Sequence, residues 1–205
     1  MSSIKIKNSR IYGINEAIIA SGYPMKTEIE IPYNLDFYNE RDINRAEKLG
    51  KAPIGSGHDT FLKGIIVQFD LTAPQYMWQQ LQRYHFIDFV SSQSKMHSIT
   101  KMNIDESCNR LVSPVIKEEL KKLIEVYHSI PDYEWDVKQQ MFQEVIANVP
   151  MGFMLTARLT TNYLQLKTIY TQRKNHKLEE WKEFCNWIEE LPFFKKLVLR
   201  GKGEK

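Results

Sequence analysis

The chain has 205 residues, of which 42% are hydrophobic and 26% are charged, and its formal net charge is +3. These values are ordinary for a water-soluble domain. No run of apolar residues approaches the roughly 20 that span a bilayer, and the first ten residues lack the apolar core of a signal peptide. The sequence therefore predicts a cytoplasmic protein without membrane association, whose mild positive charge suits anionic ligands but is too weak to indicate specific nucleic-acid binding.

The first part of the chain is predicted to combine a strand with a short helix. Residues 4–9 alternate as a strand does, and residues 14–22 indicate a short helix that ends at Gly22. Residues 25–55 are mostly polar and are predicted to form a surface excursion with no more than one or two helical turns.

The next segment gives a clearer pattern. Residues 64–71, GIIVQFDL, are rich in β-branched side chains and predict a strand. Thr72 follows as a predicted helix cap, with Pro74 in the first turn of a helix that reaches residue 85. The apolar side chains of this helix recur at helical spacing, which predicts that it packs on the sheet.

The second half of the chain is predicted to be helical almost throughout. Four helical segments are predicted, at 113–130, 133–149, 157–176 and 178–191, and proline residues separate the first three of them. Strands in the first half and helices in the second, without regular alternation, predict an α+β fold with an antiparallel or mixed sheet packed by helices. We expect one domain over residues 1–205, with a flexible tail at 200–205.

One stretch, QLQRYHFIDFVSSQSKMHS at Gln80 to Ser98, predicts a ligand pocket. Aromatic and apolar side chains, which favour burial, occupy residues 84–87, 89 and 90, and four small polar side chains follow at once in residues 91–94. This is typical of a backbone that enters a pocket and presents hydrogen-bonding groups to a ligand.

The same region resembles a motif of a known family, the flavin-dependent thymidylate synthases. Residues 69–96 are similar, without a gap, to the strand and helix that lead into that family's motif R-H-R-x-x-S-x-N-E-x-S-x-R. His85 takes the place of the motif histidine and Ser94 that of the second serine, with Gln93 directly before it. The three arginines of the motif are replaced by Tyr84, Phe86 and Met96.

Two further segments carry the resemblance, which extends over residues 55–181. GSGHDTF resembles a short F-E-H segment of the family and puts its flavin-side histidine at His58. Residues 156–176 resemble the N-L-R-S-L-x-N-F-L-x-L-R-x-D-S-H-A-Q segment, so that Lys167 takes the place of a nucleotide-binding arginine. The residues identical to the family in this register are Arg158, Asn162 and Leu166.

The resemblance implies a fold, a reaction and a set of site residues. Enzymes of this family methylate dUMP with FAD, a reduced nicotinamide cofactor such as NADPH, and methylene tetrahydrofolate. The residues implied to contact the flavin are His58, His85 and Asn162. Those implied to contact a pyrimidine nucleotide are Gln93, Ser94, Lys95, Leu166, Lys167 and Arg173. Lys95 and Arg173 are included because the missing arginines require another cation for the phosphate.

Ser94 is the candidate catalytic hydroxyl. Because no adjacent base appears in the sequence to activate it, the pattern favours hydrogen bonding to the nucleotide over nucleophilic attack. Nothing predicts a metal centre or a disulfide framework: Cys108 and Cys185 are far apart, and the five histidines form no metal-binding pair with a carboxylate. We expect both cysteines to be small buried residues.

Members of the family are homotetramers with active sites at subunit contacts, so the resemblance implies a homo-oligomer. Divergent members of this kind resemble proteins carried on bacteriophage genomes. Three hypotheses stay open. The first is a flavin-assisted transfer of a one-carbon unit to a pyrimidine deoxynucleotide. The second is a catalytically inactive homologue that binds a nucleotide or a partner protein without chemistry, and the third is a purely structural oligomer that binds no small molecule.

Overall fold

The computed structural model describes residues 3–29 and 38–199, and it builds one four-stranded sheet from them. The sheet order is β1-β2-β4-β3, and every neighbouring pair is antiparallel. The predicted α+β class with an antiparallel sheet is thus confirmed. The strands are β1 Lys5–Tyr12, β2 Ile66–Pro74, β3 Asp88–Ser92 and β4 Met154–Asn162.

Helices precede, separate and follow the strands. Short 3-10 helices lie at Tyr23–Met25, Thr60–Gly64 and Ile99–Lys101. The α-helices are α1 Ile14–Ala20, α2 Glu40–Gly50, α3 Gln75–Leu81, α4 Lys95–Ser98, α5 Ile104–Ser107, α6 Pro114–Ser129, α7 Trp135–Ala147, α8 Tyr163–Arg173, α9 Glu179–Glu190 and α10 Phe194–Val198. In the described part of the chain, no helix combines the length and the apolar character needed to cross a bilayer.

The main core lies on one face of the sheet. Every second residue of β2 from Val67 to Ala73 is fully buried, because a strand with one packed face alternates with period two. The apolar stripe of α9 packs against this face, and Phe69 lies 5.9 Å from Phe184 and 4.5 Å from Trp187 between ring centroids. The apolar stripe of α9 therefore belongs to the core of the chain itself.

A second hydrophobic cluster lies under the α6–α7 hairpin. Its buried members include Leu120 and Ile124 from α6, Met141 and Val145 from α7, and Phe153 just before β4. This cluster is separate from the main core. The α6–α7 hairpin is therefore held mainly by its own contacts and by those with α5 and the 150–155 region.

The predicted helix over residues 157–176 is wrong in its first part. Residues 154–162 form β4, which pairs with β2 on one side and β3 on the other. The sequence ARLTT carries the period of a strand, since Ala157, Leu159 and Thr161 are buried while their neighbours are partly exposed. The helix begins only at Tyr163.

The start of α3 also differs from the prediction. Thr72 does not cap this helix, because β2 continues through Pro74. The hydroxyl of Thr72 instead forms a 2.8 Å hydrogen bond with that of Thr156 across the sheet. Residues 88–92, predicted as the start of a pocket, form the edge strand β3.

The predicted excursion at 25–55 contains more helix than expected. Helix α2 has three turns, begins with a capping box between Asn39 and Asp42, and buries Ile43 and Ala46. At its end, a Cβ added to Gly50 would lie 2.2 Å from the carbonyl oxygen of Leu197, so only glycine permits this contact with α10. Residues 30–37 of the excursion and the predicted tail at 200–205 lie outside the described residues.

Candidate functional site

The residues predicted to bind ligands lie in three different places within one chain. His85 and Arg173 line one cavity, Gln93 lines a second at the sheet edge, and Lys167 lines a third. Four of the predicted residues therefore border cavities, but within one copy of the chain these cavities are separate.

The first of these, which we call the Arg173 cavity, lies between the end of α3 and helix α8. It has a volume of about 350 Å³. It is lined by Arg83, Tyr84, His85, Phe86, Gln165, Thr168, Gln172 and Arg173. Two guanidinium groups and two aromatic rings beside amide and hydroxyl groups suit a flat ligand that carries an anionic group.

The guanidinium of Arg173 is oriented by its neighbours. Its Nε donates a 2.8 Å hydrogen bond to the hydroxyl of Tyr84, and Nη1 lies 3.3 Å from Oε1 of Gln80. The group also stacks over Trp181, 4.6 Å from the ring centroid. Because no described residue accepts a hydrogen bond from Nη2, that nitrogen keeps its donors for an anionic ligand.

His85 and Phe86 lie in the loop that follows α3, and both side chains are exposed. The loop is tied to the sheet because the hydroxyl of Thr161 donates a 2.8 Å hydrogen bond to the carbonyl of Phe86. The imidazole of His85 and the phenyl ring of Phe86 are both accessible from solvent, and the ligand role of His85 stays a prediction.

His176 follows the end of α8 and forms a hydrogen bond with the backbone of the same loop. Its Nδ1 accepts a 3.2 Å hydrogen bond from the backbone N–H of Leu178. Burial, together with the nearby charges of Arg173 and Lys177, lowers the pKa of this imidazole below its ordinary value. The neutral ring that results is the form able to accept the bond.

The second cavity lies at the sheet edge and has a volume of about 220 Å³. Gln93 is hydrogen-bonded to β4 twice: its N–H donates to the carbonyl of Thr156 at 2.9 Å, and its side-chain oxygen accepts from the N–H of Thr156 at 2.8 Å. The ammonium of Lys95 donates to Oε1 of Gln75. Burial lowers the pKa of Lys95, which indicates an ammonium held partly away from water.

Ser94 precedes the single turn of α4. Its carbonyl accepts hydrogen bonds from the N–H of His97 at 3.2 Å and from the hydroxyl of Ser98 at 2.7 Å. In the described part of the chain, no base forms a hydrogen bond with the hydroxyl of Ser94. The structure thus offers this hydroxyl as a hydrogen-bonding group and supplies no partner that would make it a nucleophile.

Lys167 forms a buried ion pair. Its ammonium lies 2.6 Å from the carboxylate of Asp59, and it also donates to the carbonyls of Gly50 at 2.8 Å and Ala52 at 2.6 Å. The side chains of Lys167 and Asp59 are only 7% and 3% exposed. Three acceptors satisfy the three donors of an ammonium group, so Lys167 holds the loop after α2 against α8.

His58 is the exposed neighbour of Asp59 in this loop. It stands between Gly57, whose φ of +79° favours glycine, and the anchored Asp59. The buried ion pair therefore fixes the position at which this imidazole meets solvent.

The two remaining candidates serve helix α8. Asn162 caps the helix, because its side-chain oxygen accepts a 3.0 Å hydrogen bond from the N–H of Gln165. Leu166 is fully buried in the main core.

Arg158, the third residue identical to the family, points to the other face of the sheet and lies 3.1 Å from Asp70. Hydrogen bonds from Asn8 and from Arg158 lower the pKa of that aspartate.

Sequence reasoning missed a larger cavity, which we call the Tyr76 cavity. Its volume is about 700 Å³, within the range of small-molecule sites. Asn109 donates a 3.0 Å hydrogen bond to the hydroxyl of Tyr76, which in turn donates to the carboxylate of Glu180. A signal was present, since Glu180 stands four residues before Phe184 and eight before Ile188, on the apolar face of α9.

Two further observations concern possible metal ligands and the cysteines. The described residues contain no group of three or more histidine, cysteine or carboxylate side chains that could hold a metal ion. Both cysteines are buried and free, and burial raises the pKa of each thiol, to about 11 for Cys185.

Comparisons with known proteins identify the fold. No protein-family model matches the chain, and no curated protein matches its sequence. A crystal structure of the flavin-dependent thymidylate synthase ThyX from Helicobacter pylori, complexed with FAD and dUMP, matches with a TM-score of 0.68 and 12% sequence identity over 98% of each chain. A second crystal structure of thymidylate synthase X from this organism, also with FAD and dUMP, gives a TM-score of 0.66 with the same identity and coverage. The expectation that the chain folds as a flavin-dependent thymidylate synthase is confirmed.

Proposed function

We propose that this chain binds a flavin and a pyrimidine nucleotide. The observation that carries the proposal is the match of the whole fold to enzymes crystallised with FAD and dUMP, together with a cavity in which an oriented arginine lies beside aromatic rings. The residues that we propose to contact the flavin are His58, His85 and Asn162, as the resemblance implies.

The nucleotide is proposed to lie against Arg173. The free Nη2 of this residue suits a phosphate oxygen, and Tyr84, whose hydroxyl accepts from Arg173, presents a ring for stacking. Gln93, Ser94 and Lys95 complete the set with amide, hydroxyl and ammonium groups. Leu166 and Lys167 act indirectly in this proposal, since the first is buried in the core and the second is satisfied by Asp59 and two carbonyls.

The separation of these residues supports a homo-oligomer, and we propose a tetramer. The sheet edge that carries Gln93 to Lys95 also presents exposed apolar side chains at Phe89, Val90 and Met96, which are 42%, 58% and 56% exposed. Exposed apolar surface of this kind marks contact sites between proteins. A second copy that covers this edge would bring its own Arg173 cavity to the sheet-edge residues.

The reaction that we propose is the transfer of a one-carbon unit to a pyrimidine deoxynucleotide in the cytoplasm. A bound flavin would supply electron-transfer chemistry, with NADPH as reductant and methylene tetrahydrofolate as donor. In this scheme the chain's own residues bind and orient the substrates, and Ser94 donates a hydrogen bond to the nucleotide.

A second candidate function is nucleotide binding without turnover. It is favoured by the chemistry of the Arg173 cavity, where Tyr84 and Phe86 stand in place of two motif arginines and cannot provide a bidentate cation. Steady-state assays with dUMP, methylene tetrahydrofolate, FAD and NADPH distinguish the two candidates, because only the first produces dTMP.

Calorimetric titration with dUMP tests the nucleotide site. The variant Arg173→Ala should weaken binding about tenfold or more, because it removes a charge-assisted contact. Arg10→Ala is the matched control, since Arg10 is exposed on β1 and lines none of the cavities described above. Equal dUMP affinity in the wild type and in Arg173→Ala would remove this cavity from the proposal.

A further inference from the structure

The Tyr76 cavity, with a volume of about 700 Å³, is not used by the proposed function. It lies where the start of α9 and the loop after α5 meet α3 and the sheet. Its lining includes Thr72 and Met154 from adjacent strands, and Leu111 and Leu178 from the two loops. The walls are thus largely apolar, while the polar groups gather at two places, a floor and a rim.

The floor is a chain of hydrogen bonds that ends at a buried carboxylate. Asn109 donates to Tyr76, and Tyr76 donates to Oε1 of Glu180, whose residue is 3% exposed. Burial, reinforced by the nearby Glu180 carboxylate, raises the pKa of Tyr76, so the phenol keeps its proton for this bond. A carboxylate accepts about four hydrogen bonds, and among the described residues Glu180 receives one from a side chain. Its remaining acceptor sites are available to a ligand that brings N–H donors.

The rim carries an excess of positive charge. Three cations line it, namely Lys5, Arg110 and Lys177, and none of them forms an ion pair with a described residue. Two carboxylates also lie there, Glu106 and Glu179, and the second is neutralised by Lys182 at 3.1 Å. A ligand that fits both regions has N–H donors at one end and an anionic group at the other.

From these features we infer that the Tyr76 cavity binds a guanine mononucleotide. Of the nucleobases, guanine alone offers two adjacent N–H donors, from its ring N1 and 2-amino group, to a carboxylate. Adenine and cytosine place a ring acceptor beside their amino group, and uracil flanks its single N–H with two carbonyls, so each would set an acceptor against Glu180. The phosphate of the nucleotide then meets Lys5, Arg110 and Lys177.

The side chain of Gln80 links this cavity to the Arg173 cavity. Gln80 lines the Tyr76 cavity, and its Oε1 accepts hydrogen bonds from Trp181 at 2.9 Å and from Arg173 at 3.3 Å. The guanine site does not depend on flavin or pyrimidine binding, but a ligand that moves Gln80 would change the orientation of Arg173. Guanine nucleotide is therefore a candidate regulator of the neighbouring site.

The test is calorimetric titration of the full chain with GMP, AMP and UMP. We expect saturable binding of GMP that is at least about tenfold tighter than that of AMP or UMP, the discrimination typical of a paired hydrogen-bonding edge. Glu180→Gln, which replaces an acceptor oxygen by an NH₂ donor, should weaken GMP at least about tenfold. Arg110→Ala should weaken GMP several-fold and leave guanosine, which has no phosphate, nearly unchanged. Arg10→Ala again serves as the control.

Three outcomes would overturn the inference. The first is equal affinity for all three nucleotides. The second is GMP binding that is unchanged in both Glu180→Gln and Tyr76→Phe when these variants are folded. If Glu180→Gln does not fold, Tyr76→Phe and Arg110→Ala still test the site. The third is GMP binding that dUMP displaces and that Arg173→Ala abolishes while Glu180→Gln does not, because the nucleotide would then occupy the Arg173 cavity.

Discussion

At the scale of single residues, the buried ion pair between Lys167 and Asp59 allows a structural role of Lys167 to be distinguished from a role in ligand binding. Lys167→Ala leaves Asp59 buried without its cation, and the loss of one partner of a buried pair costs about 3–5 kcal/mol. We expect that decrease in the free energy of unfolding, measured by urea denaturation. Lys174→Ala, which removes an exposed cation at the C-terminal cap of the same helix, should change stability by no more than about 0.5 kcal/mol.

The opposite outcome has a clear meaning. A Lys167→Ala protein that unfolds like the wild type but loses affinity for dUMP would make Lys167 a nucleotide ligand, as the resemblance implies. The sequence could place Lys167 beside the family's arginine, but it could not show Asp59 as its partner, because the two residues are 108 positions apart and meet only through the fold.

The cysteines allow a prediction of pH dependence. Burial, assisted by Glu189, raises the pKa of Cys185 from an ordinary value of 9.0 to about 11, which lowers its thiolate fraction at pH 8 about 100-fold. Iodoacetamide should therefore alkylate Cys185 at least that much more slowly in the folded than in the denatured protein, as followed by mass spectrometry. Alkylation at the same rate in both states would contradict the burial of this thiol.

The sign of the linked stability change follows from the same shift. Between about pH 9 and pH 11 the folded chain keeps a thiol proton that the unfolded chain releases, so this group makes the protein less stable as the pH rises through that window. Cys185→Ala should reduce that part of the pH dependence of the melting temperature.

At the scale of elements, the position of β4 between β2 and β3 decides how the chain tolerates proline. Thr160 pairs with Gln68 on one side and Asp88 on the other, whereas Val90 lies at an irregularity of the edge strand β3. Thr160→Pro should lower the unfolding free energy by about 3 kcal/mol or more, and Val90→Pro by much less. Circular dichroism melting curves that are the same for both variants would argue against a central β4.

The wrong prediction of a helix over β4 shows that local sequence patterns do not always distinguish a strand from a helix. Helices α6, α7 and α9 were predicted close to their observed bounds because proline residues and apolar periodicity mark them within the sequence. Residues 157–162 run directly into α8 without a glycine or proline, so no local signal separates strand from helix. Their pairing with β2, some 90 residues earlier, supplies the missing information.

The candidate site also has a part that could be predicted from the sequence and a part that could not. His85 and Gln93 could be selected from the sequence because the resemblance places them in the family's motif, and Arg173 because the missing motif arginines require another cation. The Tyr76 cavity could not be assembled from the sequence, since Tyr76, Asn109 and Glu180 come from three distant segments. Its one local signal is the carboxylate of Glu180 on the apolar face of α9.

At the scale of the whole molecule, the separate hydrophobic clusters predict unequal local stability. The α6–α7 hairpin depends on the smaller cluster, while β2 and β4 lie in the main core. Amide hydrogen exchange should therefore be faster in α6 and α7 than in β2 and β4. Equal protection in all four elements would mean that the clusters unfold as one unit.

The central claim, that this fold retains a flavin and pyrimidine-nucleotide site, is tested most directly by the visible absorption spectrum of the purified protein during titration with FAD, with and without dUMP. The account predicts a saturable change in the flavin spectrum that Arg173→Ala weakens in the presence of dUMP and Arg10→Ala does not. A folded protein that leaves the spectrum of FAD unchanged under both conditions would contradict the flavin site, and the fold would then serve nucleotide binding without redox chemistry.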